Sequence, residues 1–466
     1  MKLLGTLFSA LLFTPFLGMA QEEKPNIILI VSDDQGISDA GFSGSPDIRT
    51  PNIDKIAKEG VVFLQGYVSH SYCSPSRAGI LTGRYQQRFG HELNPPFEPN
   101  NETIGLPLNE VLISDMLKEA GYRTAAIGKW HLGYTNKHLP PQRGFDFWYG
   151  FSGGARSFWT TGKETENQAQ RKLMRNDTPV PLNEINYLTD NFTEEAIDFI
   201  RQSKEVPFFL YLAYNAPHTP LHASEKYLDR TRYIERAKRS IYAAMITAVD
   251  DGVGKIDELL SELGIKENTI IVFISDNGGV TAEFANNNPF RGSKGMLFEG
   301  GIRVPFCMSW KNKIPANSIF EEPVIALDLF PTFMAAAGVK TENSLDGKDL
   351  MPYATGTIKS PPHDALYWRT AGGASYAIRK GYYKLTKRMY HDNLMLFDLK
   401  NDKREIFDIA GEKPELVKEM KRLYDQWDKE MAKPLWTTDG HVPKTKERLD
   451  DYISTRKAAK KGERNK

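Results

Sequence analysis

The sequence predicts an α/β protein with a large N-terminal domain, whose central, mostly parallel sheet is flanked by helices, and a small C-terminal α+β subdomain. Two observations predict this fold class. Apolar runs such as NIILIVS (26–32) and TIIVFIS (269–275) are typical of parallel strands buried on both faces. These runs alternate with segments whose apolar residues recur at helical spacing, which favours a sheet covered by helices.

The N-terminal domain is predicted over residues 24–350. Its first strand is followed by a short helix in TPNIDKIAKEG (50–60), with Pro51 near the start and Gly60 beyond the end. Long helical patterns are predicted in PLNEVLISDMLKEAGY, over residues 233–263 and in DLFPTFMAAAG. Later strands are predicted in RTAAIGKWHLG, PFFLYLAY, NTIIVFIS and VPFCMSW.

The C-terminal subdomain is predicted over residues 351–440. Its strands are short and only partly alternating, which is typical of an antiparallel sheet: ALYWRT, SYAIRK, YYKLTK and LMLFDL. A helix near 413–431 is expected to pack on this sheet. Residues 441–466 are predicted to be a solvated basic tail.

The first 20 residues are typical of a secretory signal peptide. Lys2 precedes an apolar stretch, and the small residues Gly18 and Ala20 follow it. The alternative is a membrane anchor, but the apolar part is shorter than the roughly 20 residues of a membrane span and contains Pro15. We therefore expect an exported protein, periplasmic or secreted, with no membrane span.

The charge balance and the cysteine content bear on the partners of the protein and on its disulfide bonds. Sixty basic residues stand against 59 acidic ones, a net charge of +1, which argues against a nucleic-acid partner. The chain has only two cysteines, Cys73 and Cys307. A disulfide between them is possible, but Cys307 lies in an apolar strand and is better explained as an inert core thiol.

Polar residues follow four of the predicted strands. In open α/β sheets ligands bind beyond the carboxyl ends of the strands, where these residues would meet. The carboxylates and the amide among them suit a hard cation, Ca²⁺ or Mg²⁺, although Asp, Asn and Gly also favour plain turns. The four groups are Asp33–Asp34, Lys129 with His131, His218, and Asp276–Asn277.

The stretch SYCSPSRAGILTGRY (71–85) places Cys73 at the start of a predicted helix. Ser74 fits the N-cap, Pro75 the first turn and Gly83 the stop. The helix N-terminus favours an anion, and Arg77 is placed to hold an oxyanion with its paired donors. From these residues alone, Cys73 is either a thiolate nucleophile or a stray thiol beside a surface helix.

The motif CSPSRAGILTGR resembles the Cys-x-Pro-Ser-Arg-x-x-x-Leu-Thr-Gly-Arg signature of type I sulfatases, in particular the bacterial polysaccharide sulfatases. The motifs SDDQG, GKWHLG, APHTP, SDNGG and RGSKG follow the family's order, and the resemblance runs from about Pro25 to LFDLKNDKREIFDIA. It implies an alkaline-phosphatase-like fold. It also implies that Cys73 is oxidised to formylglycine by a formylglycine-generating or an anaerobic sulfatase-maturing enzyme.

The resemblance also implies a role for each polar residue. A hydroxyl of the hydrated formylglycine would attack sulfur, and Ca²⁺, rather than Mg²⁺, would be held by Asp33, Asp34, Asp276, Asn277 and residue 73. His218 would protonate the departing sugar oxygen, and His131 would deprotonate the second hydroxyl. Charge on the sulfuryl oxygens would be met by Arg77, Lys129 and Lys294, with Ser152 as a further sulfate contact.

The substrate is expected to be a sulfated glycan, with a galactan or galactosamine sulfate, such as carrageenan or chondroitin-type oligosaccharides, favoured. The aromatic run 144–159 either stacks on sugars or belongs to the core. Arg88, His91 and Glu92 either contact a sugar or lie in a plain surface loop. The alternatives are an ulvan or fucoidan sulfatase, a phosphonate or phosphate monoester hydrolase of the same superfamily, and a non-enzymatic glycan-binding protein.

Overall fold

The computed structural model describes residues 24–159, 169–341, 344–389 and 391–436. The predicted signal peptide (1–20) and basic tail (441–466) lie outside the described residues. Among the described residues, no helix has the length and apolar character needed to cross a membrane. The described strands form a ten-stranded and a four-stranded sheet.

The larger sheet is mostly parallel, as predicted. Its strand order is β10-β2-β9-β8-β1-β7-β3-β4-β5-β6, and β9 runs antiparallel to both of its neighbours. The adjacent strands β8, β1, β7 and β3 are all parallel. The strands are β1 (Asn26–Ser32), β2 (Val61–Tyr67), β3 (Arg123–Lys129), β4 (Phe147–Phe151), β5 (Met174–Arg175), β6 (Thr178–Pro179), β7 (Phe208–Ala213), β8 (Thr269–Ser275), β9 (Phe306–Trp310) and β10 (Ser318–Ile325).

Helices cover both faces of this sheet, so the central strands are buried on both sides. On β1, Leu29 joins the core on one face and Ile30 the core on the other. This explains why the strand is a continuous apolar run rather than an alternating one. The helices are α1 (Pro51–Lys58), α2 (Cys73–Thr82), α3 (Ile113–Glu119), α4 (Leu188–Ser203), α5 (Glu225–Leu228), α6 (Ala237–Glu262), α7 (Glu299–Ile302), α8 (Leu329–Ala336), α9 (Met351–Ala354) and α10 (Pro414–Asp428).

The smaller sheet is antiparallel, again as predicted, and α10 packs on it. Its strands pair in chain order: β11 (Leu366–Thr370), β12 (Ser375–Lys380), β13 (Tyr383–Lys387) and β14 (Leu394–Asp398). The rings of Tyr376 and Tyr424 stack at 3.9 Å between β12 and α10. Trp368 joins the two parts of the molecule, because its indole N–H donates to the Val68 carbonyl at 2.7 Å.

Two local predictions differ from the structure. The helix expected from residue 107 begins only at Ile113, because Leu112 has an extended backbone (φ −102°, ψ 160°). The long helix expected from 233 begins at Ala237. The aromatic run also contains strand β4, which was not predicted. Cys307 is free and buried in β9, as expected of a core thiol, and Cys73 is free as well.

Candidate active site

Neighbouring parallel strands bring the four polar clusters to one edge of the sheet. Asp33 and Asp34 follow β1, and Asp276 and Asn277 follow β8, which pairs with β1. His218 lies beyond β7, on the other side of β1, and β3 ends at Lys129 beside β7. These residues are far apart in the chain, and the strand order β8-β1-β7-β3 brings them together.

Helix α2 presents Cys73 to the same edge. The predicted N-cap at Ser74 is wrong, because the helix already begins at Cys73, after an extended Tyr72. The Ser74 hydroxyl donates instead to the His131 carbonyl at 2.6 Å, which ties the helix to the chain beyond β3. The predicted stop is confirmed, since Gly83 adopts the left-handed conformation (φ 63°).

Asp34 lies at the centre of the site. The Lys294 ammonium is 2.6 Å from Asp34 Oδ1 and 3.0 Å from the Cys73 Sγ atom. On the other side, His218 Nε2 lies 3.5 Å from Asp34 Oδ2. Both Asp34 (φ 65°) and His131 (φ 61°) have left-handed backbones, which are uncommon outside glycine and concentrate at functional sites.

A second layer of charge lies behind Asp34. Lys129 Nζ is 2.6 Å from Asp33 Oδ2, and both side chains are fully buried. Arg77 Nε donates to Asp276 Oδ2 at 2.9 Å, and Arg77 Nη1 donates to the Lys129 carbonyl at 2.9 Å. The sequence assigns Arg77 to an oxyanion of the substrate. In the structure these donors bond to Asp276 and to the end of β3, so we infer that Arg77 fixes the position of the Asp276 carboxylate.

The surrounding cations keep the two central carboxylates ionised. Burial alone would raise the pKa of Asp33, but Lys129 and other neighbouring cations lower it below its ordinary value. The pKa of Asp34 is lowered in the same way, against burial, with Lys294 as the main cause. Burial and the charge of Asp33 raise the pKa of Asp276. The site therefore concentrates negative charge that a cation can share.

The Cys73 thiol is not poised as a nucleophile. Burial raises its pKa to about 11, even though Lys129 and Lys294 both favour the thiolate. A thiol with such a pKa stays protonated at neutral pH, and the thiolate is the form that attacks. The raised pKa thus argues against the thiolate interpretation of Cys73.

The carboxylate and amide oxygens of the site suit a hard cation, whereas the Cys73 sulfur and the His218 nitrogen beside them do not. One ligand atom from each of four residues lies within 4.8 Å of the others: Asp33, Asp34, Cys73 and His218. Asn277 Nδ2 donates to Asp34 Oδ1 at 2.7 Å, which brings the amide into the cluster. In the part of the chain that the structure describes, Asn277 Oδ1 and Asp33 Oδ1 are buried without a hydrogen-bond partner. Buried oxygens of this kind need a partner, and a divalent cation that prefers oxygen would supply one.

The two histidines differ in environment. Burial, followed by Lys129 and Arg77, lowers the pKa of His131 well below its ordinary value, so its ring is neutral. That ring packs tightly on Gly154, where an added Cβ would lie 2.6 Å from Cε1. The His218 ring is 18% exposed, and its Nδ1 lies 2.7 Å from the Thr219 carbonyl.

The residues expected to contact a sugar mostly face inward. Arg88 forms a 2.7 Å ion pair with Asp346, and Glu92 is fully buried against Arg369. His91 is fully buried as well. This argues against the predicted sugar contacts, because the loop after α2 packs beneath the C-terminal sheet. The Ser152 carbonyl accepts the His131 N–H at 3.2 Å, so this predicted sulfate contact adjoins the site.

The aromatic run beside the site is mostly core. Trp159 is partly exposed and stacks on the His222 ring at 5.1 Å. The core interpretation, one of the two alternatives, therefore explains most of the run. Its fully buried members are Phe145, Trp148, Tyr149, Phe151 and Phe158.

Comparisons with known proteins agree with this geometry. A family model described as sulfatase matches residues 25–339, and a model described as N-sulphoglucosamine sulphohydrolase, C-terminal, matches residues 292–433. The N-acetylgalactosamine-6-sulfatase of Mus musculus is 35% identical over 383 residues, which are 78% of this chain and 72% of that protein. Arylsulfatase A of Homo sapiens is 30% identical over 459 residues, 87% and 88% of the two chains.

A solved structure extends the likeness to the whole fold. The crystal structure of Ps i-CgsB in complex with k-i-k-neocarrahexaose is 39% identical and superimposes with a TM-score of 0.85, covering 92% of this chain and 98% of that one. The family model spans most of the chain and includes the residues gathered at the edge of the larger sheet. This chain belongs to the sulfatase family, whose members hydrolyse sulfate esters.

Proposed function

We propose that this sulfatase removes sulfate from a galactan or galactosamine glycan, such as carrageenan or chondroitin-type oligosaccharides, with Ca²⁺ and a formylglycine at residue 73. The observation that carries the proposal is the approach of Lys294 and Asp34 to Cys73, 3.0 and 4.0 Å from its Sγ atom. Support for the glycan comes from relatives named as an N-acetylgalactosamine-6-sulfatase and as a complex with neocarrahexaose.

Residue 73 would be modified before the chain is fully folded. The Cys73 side chain is 1% exposed and lies beneath Lys294, so a maturation enzyme has no access to it in the folded protein. Conversion replaces the CH₂–SH group by an aldehyde, whose hydrate offers two hydroxyls. A formylglycine-generating or an anaerobic sulfatase-maturing enzyme would supply this chemistry.

The lysines would bind and orient the sulfate group. The Lys294 ammonium lies 3.0 Å from the Cys73 Sγ atom. The Lys129 ammonium is held by Asp33 at 2.6 Å. Fixed ammonium groups in a buried site stabilise negative charge that develops on sulfuryl oxygens, without reorganisation during the reaction. Ser152, whose carbonyl bonds to His131, would provide a further contact.

The histidines would move the protons. His218 is partly exposed, and its Nδ1 lies against the Thr219 carbonyl; its Nε2, which lies 3.5 Å from Asp34 Oδ2, would be the atom that protonates the departing sugar oxygen. The neutral, buried His131 would accept a proton from the second hydroxyl of residue 73, and the collapse of the sulfate adduct would regenerate the aldehyde. General acid or base catalysis of this kind contributes about 10²–10⁴-fold.

Carboxylates and an amide would hold the cation. When bound, Ca²⁺ would supply positive charge that polarises the oxygens around it. Arg77 would keep Asp276 in position from behind. Oxygen donors favour Ca²⁺ over zinc. The ligands would be Asp33, Asp34, Asp276, Asn277 and the modified residue 73.

We also propose that the protein is exported, to the periplasm or beyond, because residues 1–20 have the pattern of a signal peptide. The catalytic domain would span 24–350 and the C-terminal subdomain 351–440. This division is supported by the two sheets, since β10 ends at Ile325 and β11 begins at Leu366.

The experiment is a substrate panel on protein coexpressed with a maturation enzyme. Sulfate release is measured on defined oligosaccharides of carrageenan, chondroitin, ulvan and fucoidan, and on aryl sulfate, phosphate and phosphonate esters. We expect the highest kcat/KM on a galactan or galactosamine sulfate, and none in the Cys73→Ala variant. Preference for ulvan or fucoidan would contradict the proposed glycan, and preference for phosphorus esters would contradict the reaction.

A further inference from the structure

The loop that carries Lys294 is held at both ends by one residue of the C-terminal region, Glu405. At the first end, Arg291 Nη1 donates to the Glu405 carbonyl at 2.7 Å. At the second end, the Glu299 backbone N–H donates to Glu405 Oε2 at 2.7 Å. The loop is closed between them, since the Gly300 N–H donates to the Arg291 carbonyl at 2.7 Å.

A buried lysine fixes Glu405 in turn. Lys384, on β13, lies 3.0 Å from Glu405 Oε1 and 3.0 Å from Glu299 Oε1, and all three side chains are at most 1% exposed. Tyr67 donates to the other oxygen of Glu299 at 2.5 Å. Such buried charges are weak stabilisers, because an apolar replacement of similar volume is often as stable. Their value here is geometric, since each fixes the direction of the next.

The same segment adjoins the metal ligands. The Lys294 N–H donates to the Gly279 carbonyl at 3.2 Å, and the Gly278 N–H, directly after Asn277, donates to the Gly301 carbonyl at 3.1 Å. Helix α7 (Glu299–Ile302) therefore connects the Glu405 contacts to the turn after Asn277, and the Gly279 carbonyl of that turn holds the Lys294 backbone. Glu405 itself has a left-handed backbone (φ 51°), a conformation that a non-glycine residue keeps only where its surroundings impose it.

We propose that Glu405, fixed by Lys384, is a positioning residue for Lys294, so that the C-terminal subdomain sets the geometry of sulfate binding without touching the substrate. The inference rests on the proposed role of Lys294 in the reaction. It gives a function to the buried Glu–Lys–Glu cluster that the proposed mechanism does not use.

The first test is Glu405→Gln, which preserves volume but replaces one carboxylate oxygen with an NH₂ group. That group must face either the Lys384 ammonium or the Glu299 N–H, both of them donors, so one contact is lost. A displacement of about 1 Å at the loop would lower kcat/KM by about 10²-fold, mainly through kcat. The matched control is Asp428→Asn, which breaks the ion pair with Arg369 in the same subdomain and is expected to leave kcat/KM unchanged.

The decisive test combines Glu405→Gln with Lys294→Ala. If Glu405 acts through Lys294, Glu405→Gln lowers kcat/KM in the wild-type protein but has little further effect in the Lys294→Ala protein. Equal losses in both backgrounds would overturn the inference and leave the proposed function intact. Full activity of Lys294→Ala alone would overturn the proposed role of Lys294, and the inference with it.

A second variant keeps the test available if Glu405→Gln does not fold. Arg291→Met releases the other end of the loop from the Glu405 carbonyl, and Arg291 is only partly buried. The same loss of kcat/KM and the same absence of effect in the Lys294→Ala background are expected. A folded Arg291→Met protein with wild-type kcat/KM would count against the inference.

Discussion

The Nζ atom of Lys294 lies 3.0 Å from the Sγ atom of Cys73, although 221 residues separate the two in the chain. Burial raises the pKa of the Cys73 thiol to about 11, although Lys294 favours the thiolate, so the thiol stays protonated at neutral pH. The Lys294 ammonium stands where an anion attached to residue 73 would form. We therefore interpret Lys294 as a sulfate-binding residue and residue 73 as the reactive group beside it.

Replacing the nucleophile should separate activity from folding. Cys73→Ala removes one buried sulfur atom from the start of α2 and leaves the helix contacts of Ser74 and Arg77 in place. We expect no sulfate release and a thermal transition close to that of the wild-type protein, measured by circular dichroism. Retained turnover in this variant would rule out residue 73 as the attacking group.

Removing the cation should affect activity and stability together. A ligand that binds only the folded state adds about 2.7 kcal/mol at a free concentration one hundred times its Kd. A chelator should therefore lower both Tm and sulfate release, and added Ca²⁺ should restore them. Asn277→Ala should weaken this response, whereas Asn288→Ala, an exposed amide in a nearby loop, should keep it. A Tm that ignores both chelator and Ca²⁺ would argue against the cation site.

Removing the buried ion pair between Arg77 and Asp276 should destabilise the fold. Arg77 is fully buried and lies 2.8 Å from Asp276. Arg77→Met would leave that carboxylate without its cation, a change that costs about 3–5 kcal/mol in buried pairs. The free energy of unfolding in urea measures the loss. The control Arg232→Met removes an exposed pair with Asp229 and should change stability by less than about 1 kcal/mol; equal losses in the two variants would contradict the assignment.

The buried His91 should make the protein sensitive to acid. Burial lowers its pKa from 6.5 to about 3, so the unfolded chain binds a proton first as the pH falls. Its contribution to stability is complete above pH 6.5 and is lost between pH 6.5 and about 3, by up to about 1.4 kcal/mol per pH unit.

Two variants isolate this contribution. His91→Gln keeps a polar partner for Ser74, 2.6 Å away, but does not titrate in this range, so its unfolding free energy should fall less steeply below pH 6.5. His391→Gln, at an exposed position, should keep the wild-type slope. Identical slopes for His91→Gln and the wild-type protein would show that His91 is not the group that titrates.

The central strands could be predicted because burial on both faces leaves little choice of residue. β1 and β8 are continuous apolar runs that end in carboxylates, and the parallel pairing of Ser32 with Ser275 then fixes where those carboxylates meet. Edge elements were less visible. Strand β4, FWYGF, shows no alternation of apolar and polar residues, and β5 and β6 have two residues each, too few for a period to emerge.

Within the site, the sequence predicts which residue types are present but not which partners their side chains contact. Ser74 fits an N-cap by its position, yet its hydroxyl bonds to the His131 carbonyl, 57 residues away. Glu92 has the residue type of a surface position, but Arg369, from strand β11, forms an ion pair with it and buries it. Contacts of this kind depend on tertiary packing between segments far apart in sequence, and nothing local in the sequence signals them.

The mass of the peptide that contains residue 73, taken from enzyme that releases sulfate, shows directly whether a formylglycine at this position carries the reaction. Conversion to formylglycine exchanges the elements of H₂S for one oxygen atom, which mass spectrometry resolves. We expect turnover to rise in proportion to the converted fraction across preparations made with and without a maturation enzyme. Full turnover from protein whose residue 73 is entirely unmodified cysteine would contradict this expectation.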